Sequence, residues 1–226
     1  MISTAVLAVL AASIPLGMLH AMDTDHVLAV SALSSRSGSD RFRPLRYAAH
    51  WAIGHGGLLL VLAIAVFGFH IVVPTPVPYW AERVVGVILI ASGVAVFAGL
   101  AREVGLGAAR GAHAGATHGI RGGSGTLHAA LTPATARAPL LVGIVHGLAG
   151  SAPALALAPA ALMQPAAAVL YIATFSLGVL AGMVAFGFVL GRCQSALTAR
   201  APMLARAARG ALGAVAIGFG VMWLAS

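Results

Sequence analysis

The chain has 226 residues, of which 60% are hydrophobic and only 8% are charged, whereas a soluble domain carries roughly 25% charged residues. This composition excludes an ordinary soluble domain and a disordered chain, and it indicates a protein whose main solvent is lipid. Thirteen basic residues, all of them Arg, face five acids, for a net charge of +8. Because these Arg form short clusters between long apolar runs, we interpret them as a membrane-topology signal and expect no nucleic-acid partner.

Six apolar stretches are long enough to cross a bilayer, which takes about 20 residues. They predict an all-α, polytopic integral membrane protein with six transmembrane helices, at about 2–33, 48–73, 81–103, 139–163, 165–191 and 205–225. The first stretch lacks the basic start of a cleaved signal peptide. It is too long for one straight crossing, so we expect a tilt or a break near Pro15-Leu16-Gly17.

The Arg distribution predicts the orientation. Twelve of the thirteen Arg lie in or beside the first, third and fifth connections, and Arg83 alone lies on the other side. By the positive-inside rule, we expect the odd-numbered loops in the cytoplasm and both termini outside it, in a multi-pass protein of the inner (plasma) membrane.

The two halves of the chain resemble each other weakly, which predicts a 3+3 inverted repeat formed by 1–103 and 139–226. Short segments recur in the same order: Gly17–His20 with Gly143–His146, Ala65–Phe69 with Val184–Phe188, and Gly86 and Gly93 with Gly213 and Gly220. The Gly/Ala-rich segment 104–138 between the halves reads as a flexible cytoplasmic loop. Its histidines, which either capture metal weakly or are merely solvated, are His113, His118 and His128.

The first span contains His20-Ala-Met-Asp23-Thr-Asp25-His26. Each Asp at the centre of a spanning helix costs roughly 2.5–3.5 kcal/mol, so these side chains indicate a functional site. On a regular helix, His20, Asp23 and His26 share an arc of about 120°. Asp25 falls on another face, so it either orients a histidine or joins the others through local unwinding.

Two further histidines come to the same depth as His26. Helix rise places His26, His55 and His146 about 10–12 Å inside the membrane from the cytoplasmic ends of their spans. Glycines flank both His55 and His146 and allow close helix approach or ligand access to backbone carbonyls. His50 lies one turn from the end of its span and is either a gate or an interface residue, and His70, near the outer end, is expected at the interface.

Imidazole and carboxylate ligands without thiolate suit Ni²⁺, Co²⁺, Zn²⁺ or Mn²⁺ better than Cu⁺. We therefore expect a divalent cation as the transported substrate and no permanently bound cofactor. The candidate metal ligands are His20, Asp23, Asp25, His26, His55 and His146.

These residues resemble the NiCoT-type nickel/cobalt permeases and the related urease-accessory membrane proteins. The family's His-Ala-x-Asp-x-Asp-His motif matches His20–His26, its Gly-His motif matches Gly54-His55, and the accessory branch's His-Gly-Leu-Ala-Gly-Ser segment matches His146–Ser151. The resemblance implies selective Ni²⁺ or Co²⁺ transport through the His and Asp of the first motif.

Other functions stay open at this stage. An accessory protein could deliver nickel to urease- or hydrogenase-type maturation proteins, and a proton-coupled exporter could use the same site. An intramembrane metalloenzyme is disfavoured because the sequence contains no His-Glu-x-x-His motif, and oxyanion efflux is disfavoured by the acids; we expect no enzyme activity. The absence of a Gly-x-x-x-x-Gly-Lys-Ser/Thr loop excludes an ATP site of that type from this chain.

Overall fold

The computed structural model describes residues 4–35, 40–74, 76–113, 137–149 and 158–225. This part of the chain is helical with no β-strand. Its helices are α1 Thr4–His20, α2 Thr24–Ser34, α3 Arg43–Ala63, α4 Pro76–His113, α5 Arg137–Leu148, α6 Pro165–Arg200 and α7 Pro202–Ala225. A π-helical segment, Ile64–Gly68, extends α3.

Four helical segments are long and apolar enough to cross a membrane: Arg43–Gly68, Pro76–Gly105, Pro165–Arg200 and Pro202–Ala225. The pair α1 and α2 meets the same test as one span bent by 51°. The short helix α5 covers the start of the predicted span 139–163, and 150–157 lie outside the described residues. The all-helical membrane class is therefore confirmed with four or five candidate spans, and the sixth stays a prediction.

The break in the first span is further along the chain than Pro15, where the sequence placed it. Pro15 lies inside α1, and the helix ends at His20. Tight turns follow, in which Met22 N–H donates to the Leu19 carbonyl and Asp23 N–H donates to the His20 carbonyl. Asp23 then takes the extended conformation that precedes α2. The backbone therefore changes direction within the His/Asp motif itself, and one regular helical wheel does not describe it.

Close crossings between glycines fix the position of α4 against α7. A Cβ atom built on Gly86 would lie 2.8 Å from the Gly220 carbonyl oxygen, and one on Gly93 would lie 2.5 Å from the Gly213 carbonyl oxygen. The contacts are reciprocal, because Gly220 and Gly213 in turn face the carbonyls of Gly86 and Gly93. Only glycine lets these two backbones approach so closely.

The helix α1 crosses α6 in the same manner. Gly17 packs on the Phe175 carbonyl, and Gly178 packs on the Ile14 carbonyl. A methyl group at either glycine would overlap a backbone oxygen, so the two helices could not keep this separation.

A third crossing of this kind joins α3 to α5. Gly143 packs on the Trp51 carbonyl, and Gly54 packs on the Leu140 carbonyl. Since His55 and His146 lie on these two helices, this crossing sets the distance between the backbones that carry them.

The remaining core lies between α1, α3 and α6. Its fully buried side chains include Trp51, Leu59, Tyr171, Phe175 and Met183. In an integral membrane protein, interhelical packing replaces the hydrophobic effect as the main source of association between spans. This core and the glycine crossings together hold the polar motif in the interior of the bundle.

Candidate metal centre

Three histidines from three helices meet in the interior of the bundle. The ring of His26 lies 4.6 Å from that of His20 and 5.1 Å from that of His55, and His20 and His55 are 5.5 Å apart, all centre to centre. One nitrogen from each ring can be chosen so that all three lie within 4.8 Å of one another. None of the three side chains is more than 3% exposed. A metal ion with bond lengths near 2.0–2.1 Å to imidazole holds its nitrogens about 3.4 Å apart in tetrahedral geometry, so any pair near the 4.8 Å limit would move closer when the ion binds.

The hydrogen bonds of His26 and His146 determine which ring nitrogen is free to bind metal. His26 Nδ1 lies 3.1 Å from the His20 carbonyl oxygen, and His146 Nδ1 lies 2.9 Å from the Val142 carbonyl oxygen. Because a carbonyl only accepts, Nδ1 must carry the proton in both rings. In the neutral rings, both Nε2 atoms therefore present lone pairs, which is the tautomer that metal-binding histidines use.

Buried ring nitrogens without hydrogen-bond partners are the main chemical feature of this cluster. Within the part of the chain that the structure describes, no partner is found for Nε2 of His20 and His146 or for either nitrogen of His55. An unsatisfied polar atom in a buried interior is costly, so four such atoms on three neighbouring rings indicate a ligand. A cation that binds imidazole satisfies one nitrogen of each ring that it contacts, whereas the second nitrogen of a neutral His55 ring carries the proton and is a hydrogen-bond donor.

Two carboxylates border the histidines at the break between α1 and α2. Asp23 Oδ2 lies 2.8 Å from His20 Nδ1, and Asp25 Oδ2 lies 3.7 Å from His26 Nε2. The Asp23 and Asp25 side chains are 35% and 15% exposed, so they are more accessible than the rings behind them. Both acids lie at the start of α2, where the helix dipole stabilises negative charge. The break thus brings Asp25 to the cluster by the local unwinding that the sequence left open.

His146 lies beside the three-histidine set rather than within it. Its ring is 6.0 Å from that of His26, and its side chain is 1% exposed. The structure therefore brings all six predicted residues into one neighbourhood, with His146 at the edge.

The sequence reasoning missed two aromatic residues that enclose this cluster. The Trp51 indole stacks on the His55 ring at 4.9 Å and 14°, and it also lies 4.6 Å from the His26 ring and 5.4 Å from the His146 ring. The Phe175 ring lies 5.5 Å from that of His20. The spacing of Trp51 and His55, four residues apart on one helix, could have revealed the first of these.

The other histidines lie elsewhere. His50 is half-buried, and its Nδ1 hydrogen-bonds to the Arg46 carbonyl at 2.7 Å. His70 is exposed, with a positive φ of 55°, beyond the π-helical segment. His118 and His128 lie outside the described residues, as does the side chain of His113.

The donor set consists of imidazole nitrogens and carboxylate oxygens. Such ligands suit divalent first-row metals of intermediate softness, Ni²⁺, Co²⁺ and Zn²⁺ among them. Met22, the soft donor within the motif, is 43% exposed, so the inner cluster has no thioether from that residue.

Comparison with known proteins gives one informative similarity. The chain is 29% identical to the urease accessory protein UreH of Bacillus sp. (strain TB-90) over 185 residues, which cover 82% of this chain and 77% of that protein. No protein-family model matches the chain, and no solved structure matches it. The similarity covers most of the chain and supports the urease-accessory side of the resemblance found in the sequence motifs.

Proposed function

We propose that the protein is a secondary permease for a divalent transition-metal cation, with nickel or cobalt as its substrate. The observation that carries this proposal is the set of buried histidine nitrogens without partners, next to two carboxylates, inside a bundle of membrane-spanning helices. Ionisable groups at such positions are characteristic of ion pathways. Both the family resemblance and the similarity to a urease accessory protein favour nickel.

The position of the site within the bundle supports transport rather than a purely structural metal. His26 lies eight residues from the end of α2, and His146 lies nine residues from the start of α5, or about 12–14 Å at the rise of an α-helix. These distances correspond to the middle of a bilayer whose hydrocarbon core is about 30 Å thick. A broken helix at this depth is a frequent feature of secondary transporters.

The helix crossings support the inverted repeat. Leu140 and Gly143 follow Ile14 and Gly17 by 126 positions, and they occupy the equivalent places in the α3–α5 and α1–α6 crossings. On the partner helices, Phe175 and Gly178 follow Trp51 and Gly54 by 124 positions and are likewise equivalent.

The α4–α7 crossing is also consistent with this repeat. Exchanging the halves replaces Gly86 by Gly213 and Gly93 by Gly220, which turns the contact of Gly86 with Gly220 into the contact of Gly213 with Gly93. The crossings relate α3 to α6 by 124 positions, whereas the similar segments Ala65–Phe69 and Val184–Phe188 lie 119 positions apart. These two segments are therefore not equivalent in the proposed repeat.

The membrane potential can drive uptake. With the Arg-rich ends of the helices in the cytoplasm and both termini outside, a divalent cation entering the cell moves down the potential. Two charges crossing 100 mV gain about 4.6 kcal/mol, enough for roughly 10³-fold accumulation without ATP. Export through the same site would have to offset this term, for example by proton antiport through the Asp and His side chains.

The test is uptake by the purified full-length protein in proteoliposomes. Ni²⁺ and Co²⁺ should enter saturably, faster when a potassium diffusion potential makes the lumen negative, while Mg²⁺ should not. His26→Gln should abolish uptake, whereas His50→Gln, a histidine outside the cluster, should leave it close to that of the unmodified protein. Absence of uptake by folded protein that still binds metal would refute the permease function.

The second candidate is a membrane accessory protein that passes nickel to maturation proteins of a metalloenzyme, which the similarity to UreH favours. Its expected result differs: tight metal binding, no flux across the vesicle membrane, and release of metal only when a maturation protein is added. The same proteoliposomes therefore distinguish the two functions.

A further inference from the structure

The metal cluster has an aromatic ring on each of two sides, and these rings occupy equivalent places in the two halves of the fold. Trp51 and Phe175 follow the 124-position correspondence of α3 with α6. The carbonyl of each packs on a crossing glycine, Gly143 for Trp51 and Gly17 for Phe175. Each residue thus belongs to the α3–α5 or the α1–α6 crossing, the two contacts that the proposed repeat exchanges.

Each ring also contacts one of a pair of matching histidines at a similar distance, although the interplanar angles differ, 33° for Phe175 and 67° for Trp51. Phe175 lies 5.5 Å from His20, and Trp51 lies 5.4 Å from His146, which follows His20 by the 126 positions that relate α1 to α5. Both aromatic side chains are fully buried. If two residues close a pathway from opposite sides, a two-fold relation between the halves places them at matching positions.

The two rings lie toward opposite ends of the bundle. The helix α3 starts at Arg43, at the Arg-rich end, and Trp51 is one turn closer to that end than His55. The helix α6 starts at Pro165, at the opposite end, and Phe175 lies in its first three turns. Side chains on a helix lean toward its N-terminus, which directs Trp51 toward the Arg-rich end and Phe175 toward the opposite end, while both rings stay in contact with histidines of the cluster.

We propose that Trp51 and Phe175 are a symmetry-related pair of gates in series, one on each side of the histidine cluster. Displacement of Phe175 opens the cluster to the end opposite the Arg-rich face, and displacement of Trp51 opens it to the Arg-rich end. With both rings in place, as in this structure, the histidines are at most 3% exposed, so the rings close off the imidazole part of the site, while the Asp23 and Asp25 side chains are 35% and 15% exposed. This proposal rests on the proposed transport function and names the residues that would control access to its site.

Two gates in series can be tested by comparing single variants with the double variant, because a continuous pathway exists only when both rings are removed. The experiment uses full-length protein in proteoliposomes loaded with K⁺ and measures K⁺ release, which does not depend on metal binding. Vesicles with Trp51→Ala or Phe175→Ala alone should remain as tight as those with unmodified protein. The double variant should release K⁺ at least tenfold faster.

The matched control is the double variant Leu59→Ala/Ile172→Ala, which removes two fully buried side chains from the same two helices. It makes cavities outside the cluster, so its vesicles should stay tight. Where the alanine variants do not yield a folded, monodisperse protein, Trp51→Leu and Phe175→Val keep more volume and replace them. Equal leakage from the double variant and the control would overturn the proposal, as would leakage from either single variant.

A second readout is retention of bound ⁶³Ni²⁺ by nanodisc-embedded protein during exposure to EDTA. Each single variant opens one route, so each should release the ion at least tenfold faster than the unmodified protein, and unchanged release from both would refute the gates. The outcomes separate this proposal from the permease function. Unmodified protein that carries no metal while the double variant leaks would remove the transport function but leave two gates in place.

Discussion

The glycine before His55 offers a sharp test of the packing that positions the metal cluster. Gly54 and Gly57 lie three residues apart on α3, yet Gly54 is buried against the Leu140 carbonyl, and a Cβ on Gly57 would meet nothing within 4 Å. The substitutions Gly54→Ala and Gly57→Ala therefore add the same methyl group to the same helix in opposite environments.

The magnitudes follow from the two environments. Alanine gains up to about 1 kcal/mol over glycine in a helix interior, so Gly57→Ala should leave the free energy of unfolding unchanged or raise it slightly. At Gly54 the added methyl group overlaps a backbone oxygen, which can recede only if α3 and α5 separate. Overpacking of this kind costs typically 1–3 kcal/mol, so Gly54→Ala should lower the free energy of unfolding.

The functional consequence is larger than the loss of stability. Separation of α3 from α5 moves His55 and His146 relative to His20 and His26, and displaced supporting groups typically weaken metal binding 10–100-fold. Thermal unfolding in nanodiscs and Ni²⁺ titration calorimetry measure the two effects. Equal affinity and equal stability of the two alanine variants would refute the claim that the α3–α5 crossing sets the geometry of the site.

Three other outcomes test separate parts of the structure. His26→Gln should abolish Ni²⁺ binding in calorimetry, whereas His50→Gln, which lies outside the cluster, should change the affinity less than twofold; the reverse order would refute the assignment of the cluster. Glu103 accepts two hydrogen bonds from Arg209, at 2.9 and 2.7 Å, and so joins α4 to α7. Glu103→Gln should therefore lower the free energy of unfolding by about 1 kcal/mol. An unchanged melting temperature would contradict this role. The Phe42 backbone N–H and Arg46 lower the pKa of the Asp40 carboxyl in the first connection. The contribution of Asp40 to stability is therefore present above its unfolded pKa and lost as pH falls through the folded pKa. NMR titration should give a pKa below the usual value near 3.9, and a normal or raised value would contradict those contacts.

Composition and periodicity were enough to predict the membrane class, because a bilayer requires long apolar helices and the chain has few other features. The polar motif was equally readable, since His20, Asp23 and His26 have no low-cost place in an apolar span. Both inferences need only the identity of neighbouring residues along the chain, which the sequence gives directly.

The position of the break and the role of Trp51 were not readable in this way. Pro15 is the residue that usually interrupts a helix, yet α1 continues through it and ends where Asp23 and Asp25 occupy the start of a new helix. That choice depends on the pairing of Asp23 with His20 and of Asp25 with His26, which is tertiary information. Trp51 resembled an ordinary core residue until its ring was placed against three histidines.

The break also bears on the roles of the two acids. A regular helix assigned Asp23 to the metal and left Asp25 to orient a histidine. In the structure, Asp23 Oδ2 lies 2.8 Å from His20 Nδ1, the contact that orients a ring, and Asp25 Oδ2 lies 3.7 Å from the unprotonated Nε2 of His26. Two lone-pair atoms at such a separation can share one cation. One oxygen each from Asp23 and Asp25 and one nitrogen of His26 all lie within 4.8 Å of one another, so the geometry brings both acids within reach of a cation at His26.

The two halves of the fold differ in the chemistry that they can support, and this difference predicts one metal site per chain. Under the proposed repeat, the position equivalent to His55 is Val179, which is fully buried, and the position equivalent to Asp23 is Ala149. No Asp or Glu follows Glu103 in the sequence. Among the residues of the cluster, only His20 has a histidine at the matching position of the second half, and this residue is His146. The Nε2 atom of His146 has no hydrogen-bond partner among the described residues, and its ring lies 6.0 Å from that of His26.

Under the proposed repeat, the scaffold is duplicated without its ligands, which predicts a single site built mainly by the first half and approached by His146 from the second. Calorimetry on the folded protein should give one tight Ni²⁺ per chain, and His146→Gln should weaken binding less than His26→Gln does. Two tight ions per chain would refute this reasoning, because the second half would then bind metal without any carboxylate of its own.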